Sequence, residues 1–235
     1  MAETTKHPRW QWSLRAMLLG TLATTVVLTL VIAPVRRQRR VVEEIQRRGG
    51  AVTYDHESRD NPTLWAPDWA VEMLGVDYFA NVERVRFEYR PGGDELAALV
   101  AQIPHVQEVY FDGAGVTNVG LENLRDLTNL RHLSLHACPI NNDGLIHLEK
   151  LTNLEVLNLH GTWVSDDGLK HLTHLKQLSF LGTPMGANRG ATFEGLSAFA
   201  KQMPQVRNLQ DLKPNHWPAR APQKAQAGTQ SDGSL

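Results

Sequence analysis

The sequence predicts an α/β fold of stacked strand and helix units, preceded by one amino-terminal transmembrane helix. Three observations carry that reading. A pattern of apolar positions returns every 24 residues through the middle of the chain, as Leu121, Leu124 and Leu127 return in Leu145, Leu148 and Leu151. A run of 20 residues from Ala16 to Val35 holds no charged side chain. The net charge of −1 also hides two unlike parts: nine Lys/Arg against three Asp/Glu up to Gly50, which leaves 15 against 22 beyond it. Across 235 residues, 42% hydrophobic and 21% charged residues exclude wholesale disorder, and the lone Cys138 excludes an internal disulfide or a zinc site of paired thiolates. The acidic remainder argues against a nucleic-acid partner, which would require a basic face to meet phosphates.

In chain order, residues 1–15 read as a tail carrying Lys6, Arg9 and Arg15, with Trp10 and Trp12 suited to a headgroup region. Residues 16–35 follow as the transmembrane helix, since 20 residues at ~1.5 Å each cover a ~30 Å hydrocarbon core. Its threonines can return their hydroxyls to carbonyls one turn earlier. Two readings compete: a buried soluble helix, which would want polar residues on one face at helical period where the run has none, and a cleaved signal peptide, for which the apolar run is too long and Pro34 would follow the cut. More arginines follow the span than precede it, so the positive-inside rule puts the remainder of a single-pass membrane protein in the cytoplasm. Residues 36–50 predict a basic juxtamembrane helix with Val41, Val42 and Ile45 as its apolar positions and Gly49 as its stop; Arg36, Arg37, Arg39 and Arg40 are suited to anionic lipid headgroups. Residues 51–72 read as a cap, with an edge strand over 51–54 and Trp65 and Trp69 as a lid on the first unit.

The repeats occupy residues 73–212. Leu130, Leu133, Leu135 and Ile140 map onto Leu154, Leu157, Leu159 and Val164, and backward onto Val106, Val109, Phe111 and Val116. Alternation at Leu133 and Leu135 fits one face of a short strand, whereas Leu145, Leu148 and Leu151 at spacing three fit one side of a helix. Leu175, Leu178, Phe180 and Met185 continue the series if three residues are missing, and Met203 to Leu209 supplies a sixth strand-like turn. Asn141 and Ser165 each offer a capping oxygen ahead of first-turn carboxylates. Residues 213–235 lack apolar periodicity and predict a disordered tail.

From Leu151 to Leu169 the chain follows the pattern L-T-N-L-x-x-L-x-L-x-x-T-x-V-S-D-x-G-L, which resembles the leucine-rich-repeat family. Ser13-Leu14-Arg15 ahead of the apolar run is similar to short bacterial membrane-anchored members. The resemblance implies a right-handed solenoid with a short parallel sheet and helices on its convex side, and a protein-binding or scaffold role without catalysis. A family position often occupied by Asn here reads Ala114, Cys138, Thr162 and Thr183. Cys138 is expected to be a buried structural residue.

No glycine-rich phosphate loop, Gly-x-Ser-x-Gly or His-Glu-x-x-His pattern is present, so neither an enzyme nor a cofactor is expected. Aligning the units gives three outward columns on the strands: Arg84, Glu108, His132 and Val156; Arg86, Tyr110, Ser134 and Asn158; and Glu88, Asp112, His136 and His160. Tyr110, Asp112, His132, Ser134, His136, Asn158 and His160 are the candidate binding residues, facing an unknown protein or peptide on the concave side. The alternative for Glu88, Asp112, His136 and His160 is a metal-dependent enzyme site, because imidazoles and carboxylates are competent ligands of zinc-class ions. A self-associating envelope component is the other alternative.

Overall fold

The computed structural model describes residues 14–27, 29, 33–57, 64, 66–184 and 190–210. Two helices come first, α1 (Leu14–Val27) and α2 (Ala33–Arg47). Helix α1 exposes Met17, Leu18, Leu19 and Leu22, and its threonines bond back as expected, Thr21 to the Leu18 carbonyl at 2.9 Å and Thr25 to that of Thr21 at 2.7 Å. Its 14 described residues rise about 21 Å, against a ~30 Å hydrocarbon core. Arg36 and Arg37 follow Pro34 at once within α2.

Among the described residues, no helix is long and apolar enough to cross a membrane. The expected transmembrane helix over 16–35 is therefore corrected, and with it the single-pass membrane localisation and the cytoplasmic orientation inferred from it. The expected solenoid is also corrected: the fold is α/β on a six-stranded mixed sheet rather than a purely parallel one. The amino-terminal tail up to residue 13, Trp65, Met185 and the tail over 213–235 lie outside the described residues.

Helix α2 belongs to the folded body instead of serving as a juxtamembrane spacer. Val41, Val42 and Ile45 are buried in the core, one turn apart on one face, because the arginines occupy the other. Arg39 pairs with Glu43 at 3.1 Å and Arg48 with Glu44 at 2.8 Å. Gly49, at φ +78°, ends the helix, and the Gly50 N–H donates to the Ile45 carbonyl at 2.9 Å.

Strands β1 (Ala51–Tyr54), β2 (Val82–Glu88), β3 (Glu108–Asp112), β4 (His132–Ser134), β5 (Val156–Asn158) and β6 (Phe180–Gly182) line up in chain order. Strand β1 is antiparallel to β2 and the others run parallel. Each parallel pairing joins residues 24 apart, as in Val85 with Val109, Leu133 with Leu157, and Leu157 with Leu181. The inward positions Val85, Phe87, Val109, Phe111, Leu133, Leu157 and Leu181 are at most 1% exposed.

Before β2 lies α3 (Asp68–Leu74); Trp69 there is 64% exposed, so it does not form the expected lid. The first unit is covered by α2 and β1, with Gln38 donating to Asp77 at 3.2 Å and to the Ala80 carbonyl at 3.1 Å. Helices α4 (Gly93–Val100), α5 (Asn118–Leu124), α6 (Asp166–Leu169) and α7 (Phe193–Gln202) supply Leu96, Leu121, Leu124, Leu169 and Leu196 to the same core. Between α5 and α6 the chain forms a 3-10 helix over Asn142–Leu148. Three residues per turn places Leu145 and Leu148 directly in line, so the spacing of three is better met by a 3-10 helix than by an α-helix.

A side-chain ladder ties each helix start to the next unit. Asp94 accepts from the Thr117 N–H at 2.8 Å and hydroxyl at 2.7 Å, and Asp166 accepts from both groups of Thr192 at 2.7 Å. Between them, Asn118 accepts from the Asn141 N–H at 3.2 Å and donates to its Oδ1 at 2.6 Å, and Asn142 does the same to Ser165, both at 2.8 Å. Asn141 caps its helix through the Asp143 N–H at 3.0 Å, but the Ser165 hydroxyl is taken up by Asn142 and makes no cap of its own.

Two details of the repeat count are corrected. Strand β6 keeps the register of 24, so Leu181 faces the core and Phe180, expected inward, is 45% exposed. The irregularity falls after β6, where the bridge from Asp166 to Thr192 spans 26 residues against 23 from Asn142 to Ser165. The expected sixth strand-like turn is a 3-10 turn over Arg207–Leu209; the Asn208 amide substitutes for a strand there, accepting from the Leu181 N–H at 3.0 Å and donating to its carbonyl at 2.7 Å.

Candidate functional site

The outward residues of β2 to β5 and the turns after them form the candidate face. The pleat turns alternate side chains away from the core, and the common register sets Arg86 beside Tyr110, Tyr110 beside Ser134 and Ser134 beside Asn158. Glu108 is the hub of one end. Arg84 Nε donates to its Oε2 at 2.5 Å, the Tyr110 hydroxyl donates to the same oxygen at 3.0 Å, and His132 Nδ1 lies 3.5 Å from Oε1. Burial alone would raise the Glu108 pKa, but the hydrogen bonds from Arg84 and Tyr110 and the charge of Arg84 outweigh it and hold the carboxyl below its ordinary range. Burial and the bond to Glu108 push the Tyr110 phenol upward. The Arg86 guanidinium lies over the Tyr110 ring, 5.0 Å from its centroid.

A second network occupies the other end. The Ser134 hydroxyl donates to Asp112 at 2.5 Å and accepts from Asn158 at 3.2 Å, while Asn158 Oδ1 accepts from the His160 N–H at 3.1 Å. The rings of His136 and His160 stack with centroids 5.5 Å apart and planes 3° from parallel. Of the seven candidate binding residues, Tyr110, Asp112, His132, His136 and Asn158 are half-buried and His160 is exposed. Ser134 is 5% exposed and links its neighbours instead of meeting a partner. Glu88 reaches Arg86 at 3.7 Å, and Asp112 is turned toward Ser134. Among the described residues no three His, Cys, Asp or Glu side chains come together in a way that could hold a metal ion.

The turns after the strands contain a column of left-handed residues at the 24-residue spacing: Tyr89 at φ 49°, Gly113 at 64°, Ala137 at 55° and Gly161 at 74°. That conformation lets the Tyr89 N–H reach the Asp112 carbonyl at 2.7 Å, Gly113 that of His136 at 2.8 Å and Ala137 that of His160 at 2.8 Å. Tyr89, 72% exposed, lies across Gly113 with no room for a side chain there. Sequence reasoning missed Tyr89 and the role of Glu108 as hub; the offset of 24 from Tyr89 to Gly113 was the available signal for the first. Cys138 is 1% exposed, its thiol donates to the Phe111 carbonyl at 3.1 Å, and burial pushes its pKa up, so it is protonated and shielded. Thr162 bonds the Leu159 carbonyl at 2.7 Å, and the Ala114 turn closes through its own backbone N–H to Phe111 at 3.0 Å.

A separate polar cleft of about 330 Å³ opens at the start of the strands, between Asp55, Glu83, His105, Asn129, Arg131 and Asn153. No protein-family model matches this sequence, and no curated protein matches it either, so the two surfaces are read from their own chemistry.

Proposed function

We propose that this chain is a binding module, resembling leucine-rich-repeat proteins in its repeated segments, that meets a protein or peptide through the outer face of β2 to β5. The observation that carries the reading is the preorganisation of that face. Glu108 holds Arg84 and Tyr110 by hydrogen bonds with His132 beside them, and His136 stacks on His160, so a partner would order fewer side chains on docking. Aromatic and arginine side chains held at the centre of a surface are the groups that tend to carry binding energy.

The test is affinity capture with the full chain, comparing the wild type, the double variant Tyr110→Ala/His136→Ala and the control His147→Ala, which changes the helical side. The reading expects the double variant to lose the specifically captured protein while retaining its circular dichroism, and the control to keep it. Equal recovery by the folded double variant and the wild type would put the binding surface elsewhere.

A further inference from the structure

The cleft at the start of the strands is lined by a carboxylate one oxygen of which has no donor. Glu83 lines it, and Glu83 Oε2 is shut off from solvent without a hydrogen-bond partner. Arg84, the next residue on β2, is committed to Glu108 at 2.5 Å. The other charged groups lead to the same balance. Arg131 is paired with Glu155 at 2.9 Å, whereas Asp55 adds a second carboxylate, one oxygen of which accepts from the Asn81 N–H at 3.3 Å. Asn129 donates its amide N–H to the Pro104 carbonyl at 3.0 Å, and Asn153 donates to that of Thr128 at 2.8 Å. Both amides are thereby held so that each Oδ1 remains an acceptor.

The cleft sets the carboxylates of Asp55 and Glu83 against one cation, Arg131, which is already paired with Glu155, so its charge balance is negative although the His105 ring and the Gln107 amide line it as well; its volume is at the small end of ligand pockets. A soft terminal torsion lets the Glu83 carboxylate turn toward the opening without disturbing β2. The geometry points to a binding site for an organic cation with several N–H donors, a guanidinium or an alkylammonium, with Glu83 as its counter-ion. A guanidinium suits the site best, because its planar fork can meet the carboxylate with two bonds and still present donors to the Asn129 and Asn153 oxygens. Two sources carry that chemistry, a free amine and a basic side chain of a peptide. The chain beyond Gly50 holds 15 Lys/Arg against 22 Asp/Glu and favours the approach of either. The site stands apart from the sheet face and does not depend on the function proposed for it.

Calorimetric titration of the full chain tests the inference with three probes: agmatine, an acetyl-Gly-Arg-Gly-amide peptide, and the same peptide with citrulline, a neutral isostere, in place of arginine. Saturable binding of the arginine peptide is expected, with none for the citrulline peptide, and Glu83→Gln should weaken the arginine peptide roughly ten-fold or more. Tyr110→Ala, which alters the sheet face, should leave this binding unchanged, so failure here and failure of the binding-face reading are told apart. Agmatine binding as tightly as the peptide identifies a free amine as sufficient; weaker agmatine binding identifies the basic side chain of a peptide. The inference is overturned by equal binding of the citrulline and arginine peptides, by an unchanged affinity in Glu83→Gln, or by no saturation at millimolar probe. The citrulline comparison involves no substitution, so it decides the matter even if the variant fails to fold.

Discussion

The ladder between successive units offers the sharpest test of how this chain is held together, through Gly144 and Asn118. A Cβ built on Gly144 would lie 2.4 Å from Asn118 Oδ1 and 2.9 Å from its Cγ, inside any tolerable contact. In Gly144→Ala the Asn118 side chain must swing away, losing its bonds to the Asn141 N–H at 3.2 Å and Oδ1 at 2.6 Å. The lost bond between side chains costs about 1 kcal/mol and the orphaned N–H about 1–3 kcal/mol. Replacing a helical glycine by alanine returns up to about 1 kcal/mol, so the net destabilisation expected is about 1–3 kcal/mol. Asn118→Ala should cost a similar amount by removing the same bonds. The two losses are one event, however, so Gly144→Ala made on the Asn118→Ala background should be neutral or stabilising by up to about 1 kcal/mol. Urea unfolding followed by circular dichroism measures all four proteins, with the comparison valid where the m-value is constant. Additivity to within about 0.5 kcal/mol would refute the reasoning, because it would mean that alanine at 144 and asparagine at 118 do not compete for the same space.

Three further outcomes follow from other parts of the molecule. Leu133→Ala and Leu157→Ala should each cost about 2–5 kcal/mol as truncations of fully buried leucines in neighbouring strands, read from the same urea midpoints. Ala137→Gly should raise stability by up to about 1 kcal/mol, because relief of a left-handed alanine exceeds the added chain entropy of glycine; a fall would show that Ala137 packs in a way its exposure does not suggest. The Glu108 carboxyl is held below its ordinary value in the folded chain, so its contribution is complete above about pH 4.5 and is lost as pH falls through the lowered folded value. Glu108→Gln should therefore flatten the acid side of the stability profile and leave little pH dependence from this site, whereas an unchanged acid slope would show that other carboxylates control it.

The strand positions were legible because every unit places the same demand on them: an inward apolar residue at a constant offset from its neighbour. That is why the three outward columns could be aligned from Val85 and Val109 to Leu133 and Leu157. Phe180 was misread because an aromatic residue resembles a core residue by composition; only the pairing of Leu157 with Leu181 fixes which of the two points inward. Helix α2 was misread for a different reason. Its apolar residues Val41, Val42 and Ile45 stand beside an uncharged run and among arginines, a composition shared by a lipid-facing segment and by an amphipathic helix that docks on a core. The ladder had a signal that went unused: Asp94, Asn118, Asn142 and Asp166 recur at 24 residues, and the first three are followed 26 residues later by Gly120, Gly144 and Gly168. The Glu83 cleft had none, because whether a carboxylate is shut off from water depends on Asp55 and β1, which arrive from a distant part of the chain.

How the sheet face could hold a partner follows from which groups on it are already occupied. The Tyr110 hydroxyl is committed to Glu108, and Glu108 is satisfied by Arg84 as well, so a ligand that competed for either would have to break charge-assisted bonds before forming its own. Ser134 and Asn158 are similarly used up between Asp112 and the His160 N–H. Groups with capacity to spare are the exposed guanidinium of Arg86, the exposed ring of Tyr89 and the stacked pair His136 and His160. A partner suited to this pattern supplies acceptors over Arg86 and a flat or apolar group against the stacked imidazoles, and leaves the Glu108 cluster intact. It follows that His136→Ala should account for more of the lost capture than Tyr110→Ala when the two changes are separated, with Arg86→Ala comparable to His136→Ala. If Tyr110→Ala alone reproduced the whole loss without disturbing the fold, the partner would be reaching the phenol and its carboxylate after all, and the internal network would have to be counted as part of the contact.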